Sequence, residues 1–203
     1  MWAIIPINNF KRSFGRLSSI LNQDERIQLA KYLSTRLIHI LLELRGIQKV
    51  MILTSETNWS KTIKHSKLII HKEKNNKAFK SKIDSAADWA CEMGAKQLIY
   101  LSIDIPLVEK NDIRAMIDSH NDGLTIVEAK KDGGTNALIC ELPRRFDFQF
   151  GKNSFMKHLK AAELKKVGTN IQCIDGLSFD LDDQDDWEYF LEQHQPEKNP
   201  LKI

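Results

Sequence analysis

The feature that most constrains the fold is an alternation of short apolar runs with longer stretches of helical spacing. Trp2–Ile7 (WAIIPI), Val50–Leu53 (VMIL) and Leu98–Leu101 (LIYL) each read as a buried strand, with Leu68–Ile70 as a shorter one. Between them, apolar residues recur at Ile27, Ala30, Leu33, Leu37, Ile40, Leu41 and Leu44, with Asp24 and Glu25 in the first turn and Gly46 as the stop. Ile83–Met93, capped by Gly94, and Lys110–Ser119 are further helices. The second half continues with strand Leu124–Ala129, a Gly-Gly turn and strand Asn136–Cys140. A helix capped by Asn153 or Ser154 then runs to about Val167, before strand Ile171–Ile174 and a last helix, Gln184–Gln193. This order predicts an α/β domain of three layers around a mostly parallel mixed sheet. In such sheets ligands bind outside the carboxyl ends of the strands.

The 203 residues suit one domain, expected over 1–194, with 195–203 as a flexible tail. No apolar run reaches the roughly 18 residues of a membrane span, and no secretory signal is evident. Cys91, Cys140 and Cys173 lie far apart without a C-x-x-C pair, so the chain reads as cytoplasmic and reduced. A net charge of +3 does not mark a nucleic-acid binder. Eight lysines crowd Lys61–Lys82, but Phe79 is the one aromatic among them, and a solvated face is the simpler reading. Six aspartates, two glutamates and no basic residue occupy Asp175–Glu192. No P-loop and no G-x-G-x-x-G fingerprint occurs. The six histidines are scattered, and His39 reads as a packing or surface residue.

The positive signals fall at strand ends. After the first strand, Lys11, Arg12 and Arg16 surround Gly15, forked donors beside a backbone that a polyphosphate can approach; a basic loop kept for solubility is the alternative. Asp104 follows the LIYL strand directly, where a carboxylate needs a cation or donors, unless it caps the helix after Pro106. In Phe179-Asp180-Leu181-Asp182-Asp183 an extended chain points Asp180 and Asp182 to one side. Asp180 can complete a metal site with Asp104, whereas Asp183, Asp185 and Asp186 suit the N-terminus of the last helix. Asp132-Gly133-Gly134-Thr135-Asn136 is a hydroxyl-bearing loop or a bare hairpin turn. Phe150-Gly151-Lys152-Asn153-Ser154-Phe155 opens a helix as an anion site or an ordinary N-cap.

MWAIIPI, SIDIPL, DGGTNAL, FGKNSFMKHLKAA and LSFDLDD together resemble the 2-phospho-L-lactate guanylyltransferase family of deazaflavin coenzyme biosynthesis, over nearly the whole chain. That family includes phosphoenolpyruvate and 3-phosphoglycerate guanylyltransferases. The resemblance implies a nucleotidyltransferase domain of the glycosyltransferase-A-like type, using GTP and Mg2+ to join GMP to a phosphorylated three-carbon acid. It implies Asp104 and Asp180 as metal ligands and Thr135, Gly151 and Ser154 as holders of the acid. Arg16 matches the arginine of the family's N-terminal signature, so the nucleotide side is expected to comprise Lys11, Arg12, Gly15, Arg16 and Lys80, with Arg16 also catalytic. The family's pathway further implies a link to the transferase that consumes the product; the charge and the apolar pattern lead to no expected nucleic-acid or membrane partner. The chain departs from the pattern at Asn8, where the family usually has lysine, at Phe14-Gly15, where it has Lys-Ser, and at Ala78-Phe79-Lys80, where it has Gly-Leu-Asn. These changes fall on the nucleotide side, so the alternative is a catalytically degenerate paralogue that binds a phosphorylated metabolite or nucleotide as a regulatory protein. A third reading keeps the fold with another nucleotide or sugar phosphate.

Overall fold

The first apolar run forms the strand β1 (Trp2–Ile7), and all six of its residues are buried, as a central strand covered on both faces requires. The structure, a computed structural model, describes residues 1–7, 9–72 and 78–193; Asn8, part of the lysine-rich stretch and the expected tail lie outside the described residues. β1 pairs in parallel with β2 (Lys49–Thr54) and β4 (Gln97–Leu101), and β2 pairs in parallel with β3 (Leu68–Lys72). β6 (Gly134–Glu141) runs antiparallel to both β4 and β5 (Leu124–Ala129), and β7 (Thr169–Gln172) lies parallel to β5. The seven strands make one sheet in the order β3-β2-β1-β4-β6-β5-β7.

Alternate residues of the strands β1 to β6 feed two cores. Ala3, Ile5, Val50, Ile52, Ile99 and Ile139 pack against α1 (Gln23–Glu43), through Leu37, Ile38 and Leu41, and α4 (Lys110–Ser119), through Ile113 and Met116. Ile4, Met51, Leu98, Ile126 and Leu138 pack on the other face against α3 (Phe79–Glu92) and α5 (Ser154–Leu164), the two helices contributing Ile83, Ala87, Phe155 and Ala162. The expected three layers are therefore present. Short helices α2 (Thr57–Ser60) and α6 (Asp175–Ser178) occupy connections, and α7 (Gln184–Gln193) closes the described chain.

The boundaries depart from expectation in a few places. α3 begins four residues before Ile83, because the Phe79 ring stacks edge-on against Phe150 at 5.5 Å and anchors an extra turn. α5 stops at Leu164 rather than near Val167, since Lys166 takes a positive φ of 55°. β7 occupies Thr169–Gln172 rather than Ile171–Ile174, in the register that sets Thr169 opposite Leu124. β6 starts two residues earlier than expected, at Gly134, directly from the hairpin.

This topology decides where the site forms. Because β6 is antiparallel to β4 and β5, its first residues share a rim with the carboxyl ends of β1, β4 and β5. That rim gathers the loop after β1, Ser102–Asp104 after β4, and the β5–β6 hairpin.

Candidate active site

Two adjoining cavities open at this rim. One, of about 470 Å³, is lined by Arg12, Phe14, Gly15, Arg16 and Phe79, and the other, of about 750 Å³, by Asp132, Thr135, Asn136, Gly151, Ser154 and Asp180. Arg16, Tyr100, Ser102, Asp104 and Asp182 border both. Of the residues expected at the site, Asp104, Asp180, Arg12, Gly15, Arg16, Thr135, Gly151 and Ser154 come to these two cavities. Lys11 and Lys80 line neither; Lys80 instead reaches Asp84, one helical turn along α3, at 3.2 Å. The lysine is the second residue of a helix that starts earlier than the sequence suggested, which aims it along α3.

The basic loop is shaped by two 3-10 turns, Phe10–Arg12 and Gly15–Ser19, joined through Phe14 in the left-handed region at φ 53°. Leu17 in the second turn is fully buried with Leu29, Leu33, Leu181, Trp187 and Phe190. The same small cluster thus holds the neighbour of Arg16 and the residue between Asp180 and Asp182. Arg16 Nη1 donates to Asp182 Oδ2 across the boundary between the cavities.

The acidic side is denser than the sequence indicated. One carboxylate oxygen from each of Asp132, Asp180 and Asp182 lies within 4.8 Å of the others. Asp104 stands beside them: the Leu181 N–H donates to the Asp104 carbonyl at 2.8 Å, and the buried Asp104 Oδ1 has no hydrogen-bond partner among the described residues. Burial, followed by the charges of Asp104 and Asp182, pushes Asp180 up to about 7. Burial also raises Asp104, against a hydrogen bond from Ser102, and raises Asp182, against the charge of Arg16. Crowded carboxylates with raised pKa values and an orphaned oxygen form a donor set that fits a hard divalent cation. Asp183 and Asp186 are occupied otherwise, both binding Lys131, while Asp186 Oδ2 accepts the N–H groups of Asp182 and Asp183. Their expected role at the start of α7 stands.

Beyond Asp182, which the sequence set beside Asp180 without assigning it to the cation, Asp132 is the carboxylate that sequence reasoning passed over. It read as part of a turn, and its Oδ1 does accept the Gly134 N–H at 2.7 Å. Its side chain meets Asp180 and Asp182 only because the hairpin folds over the rim. Opposite, Thr135 and Ser154 form a buried hydroxyl pair, with Oγ to Oγ1 at 3.0 Å, and the Gly133 carbonyl accepts the Phe155 N–H at 3.1 Å, tying hairpin to helix. Asn136 Nδ2, buried among these groups, also lacks a partner among the described residues. Phe79, Tyr100 and Phe150 wall the larger cavity, with Tyr100 and Phe150 ring centroids 4.4 Å apart.

The mixed α/β sheet thus carries an acidic cluster, an arginine loop and a hydroxyl pair at one rim. The fold is similar to that of a nucleotide-diphospho-sugar transferase structure from Desulfovibrio desulfuricans G20, with a TM-score of 0.75 at 12% identity over 97% of this chain and 88% of that one. It is also similar to a nucleotidyl transferase from Methanothermobacter thermautotrophicus, with a TM-score of 0.59 at 10% identity over 95% and 98%. The sequence goes further than the fold. Residues 1–198 match the family described as guanylyl transferase CofC like, and the chain belongs to that family. It is 30% identical over 182 residues to the 2-phospho-L-lactate guanylyltransferase of Methanobrevibacter smithii, covering 90% of this chain and 79% of that protein. It is 26% identical over 190 residues to the phosphoenolpyruvate guanylyltransferase of Rubrobacter xylanophilus, covering 92% and 91%.

Proposed function

We propose that this protein is a cytoplasmic, Mg2+-dependent guanylyltransferase that joins GMP from GTP to the phosphate of a three-carbon acid, namely 2-phospholactate, phosphoenolpyruvate or 3-phosphoglycerate. The product would enter deazaflavin coenzyme biosynthesis and pass to the transferase that consumes it. The observation that carries the reading is the convergence of the acidic cluster, Arg16 and the Thr135–Ser154 hydroxyls on one bordered pair of cavities.

In the reaction, a phosphate oxygen of the acid attacks the α-phosphorus of GTP. The new P–O bond forms as the bond from the α-phosphorus to the α–β bridging oxygen breaks, and pyrophosphate leaves. A phosphate monoester has a second pKa near ~6, so the nucleophile is already deprotonated at neutral pH. No general base is required, and alignment and charge cancellation remain for the protein to supply. Asp104, Asp132, Asp180 and Asp182 would hold the cation. When bound, that ion neutralises charge on the transferring phosphate. Arg16 and Arg12 would face the triphosphate, with Gly15 admitting its close approach, and Lys11 and Lys80 would add positive field at longer range. Thr135, Ser154 and the Gly151 backbone would orient the acid.

Incubating the protein with Mg2+, each nucleoside triphosphate and each acid, while measuring pyrophosphate, tests this directly. Release that requires both GTP and one of the acids is the expected result; release with a different triphosphate would overturn the assignment. One observation favours a second reading, a binding protein without turnover: Phe14 and Gly15 precede Arg16 where the family has Lys-Ser, and Arg16 is engaged by Asp182. Ligand binding without pyrophosphate release would decide for it.

A further inference from the structure

One buried titratable group behind the wall of the larger cavity has no part in the reaction described above. His158 on α5 is fully buried, one turn after Ser154, with its ring 5.0 Å from Phe150. The Gln149 backbone N–H donates to His158 Nε2 at 2.8 Å, and His158 Nδ1 lies 3.1 Å from Thr135 Oγ1. A backbone N–H can only donate, so Nε2 carries no proton and the neutral ring holds its proton on Nδ1. The imidazole stays neutral because burial lowers its pKa to about 4.

The consequence is a count of hydrogens. With Nδ1 protonated, Thr135 Oγ1 cannot donate to the histidine; it can only accept, sharing the Nδ1 hydrogen with the Ser154 carbonyl, which also bonds the ring. The Thr135–Ser154 contact consumes one of the two hydroxyl hydrogens. The other has no protein acceptor in this trio, and both residues line the larger cavity. We infer that His158 is a positioning residue, fixed as the Nδ1–H tautomer by Gln149, that forces the Thr135–Ser154 pair to present one hydroxyl hydrogen to the cavity as a donor for an anionic oxygen of the bound acid. The imidazole itself touches no substrate. It gives the pair a fixed polarity, so that a carboxylate or phosphate meets a donor rather than an oxygen lone pair, and it favours an anionic acceptor over a neutral isostere. This rests on the proposed acceptor side of the site.

Two measurements test it. In the free wild-type protein, ¹⁵N chemical shifts of the imidazole are expected to show a protonated Nδ1 and a bare Nε2; a proton on Nε2 overturns the inference whatever the activity. In kinetics with 2-phospholactate and phosphoenolpyruvate, His158→Gln can still accept from Gln149 but loses the donor to Thr135. It is expected to raise KM for the acid about tenfold with kcat changed far less, as loss of one hydrogen bond to a charged group implies. His158→Asn, which places an amide near the Nδ1 position, is expected to restore most of that loss. In a Thr135→Val background His158→Gln should have no further effect on KM. An equal rise in that background assigns the histidine to packing alone and overturns the inference. A wild type that turns over neither acid counts against the proposed reaction, and the tautomer measurement then judges the histidine by itself.

Discussion

The backbone N–H of Leu181 donates to the carbonyl of Asp104 at 2.8 Å, joining two segments that lie 77 residues apart at the rim of the sheet. One bond sets the spacing between Asp104 and the pair Asp180 and Asp182 that flanks Leu181. Because the bond is between main-chain atoms, a substitution at the Asp104 side chain leaves it in place. Asp104→Asn is therefore expected to keep the fold, and to match or exceed the wild-type stability without metal by about 1 kcal/mol, since a buried carboxylate with one oxygen unpartnered among the described residues is removed. Pyrophosphate release should fall by about 10³-fold, the scale of losing one preorganised charge contact. Thermal unfolding and turnover measured on the same preparation check both halves.

Three carboxylates within 4.8 Å repel one another, so a cation that binds them stabilises the folded chain. Millimolar Mg2+ is expected to raise the unfolding temperature of the wild type and to have little effect on Asp180→Asn. Chelator should return the wild type to its metal-free value and abolish turnover. An equal Mg2+ response in Asp180→Asn would place the ion elsewhere.

The sequence showed the layers, the strand ends that carry the site, and two of the four carboxylates proposed for the cation, because each of those is a local pattern. Asp104 is marked by a polar residue ending an apolar run, and Asp180 by alternation within FDLDD. Asp132 was not legible, because a turn aspartate looks the same whether it faces solvent or a residue 48 positions away. Lys80 misled for the converse reason: its place in the chain suggested the nucleotide loop, and the extra turn of α3 turned it toward Asp84. His158 had one faint signal, its i, i+4 spacing from Ser154 on a helix, which only the antiparallel placement of β6 against β4 and β5 makes meaningful.

Gly134 offers a way to disturb Asp132 without touching it. A Cβ at this position would lie 2.6 Å from Asp132 Oδ1 and 3.3 Å from the Ala129 methyl. The aspartate is the freer of the two to move, so Gly134→Ala is expected to swing it away from Asp180 and Asp182. Mg2+ affinity should drop several-fold with a smaller loss of thermal stability, which metal titration followed by tryptophan fluorescence or calorimetry measures. Unchanged affinity would remove Asp132 from the cation site.

Arg16 is mostly exposed, with its guanidinium on Asp182. A pair of this kind contributes at most about 1 kcal/mol to folding, so Arg16→Ala should unfold near the wild-type temperature while kcat/KM for GTP falls steeply. Phe14 lies in the left-handed region at the lip of the same cavity, where the family resemblance implies a lysine. Phe14→Lys is expected to lower KM for GTP, by restoring charge next to Arg16, and to lower stability by losing a partly buried ring. A Phe14→Lys variant that gains turnover where the wild type has none would identify the natural chain as the binding protein of the second reading.

The last prediction concerns pH. Burial holds His158 at about 4 in the folded protein, against roughly 6.5 in an unfolded chain. The unfolded state therefore binds more protons between these values, and stability falls as pH drops from about 6.5 toward 4. The full span of about 2.5 units corresponds to about 3 kcal/mol as an upper bound. His158→Gln removes the titration, so its stability should decline less than the wild type's over that window, even though it begins lower at pH 7. Chemical denaturation at half-unit pH steps resolves the two slopes, and parallel curves would show that the imidazole is not held neutral by the fold.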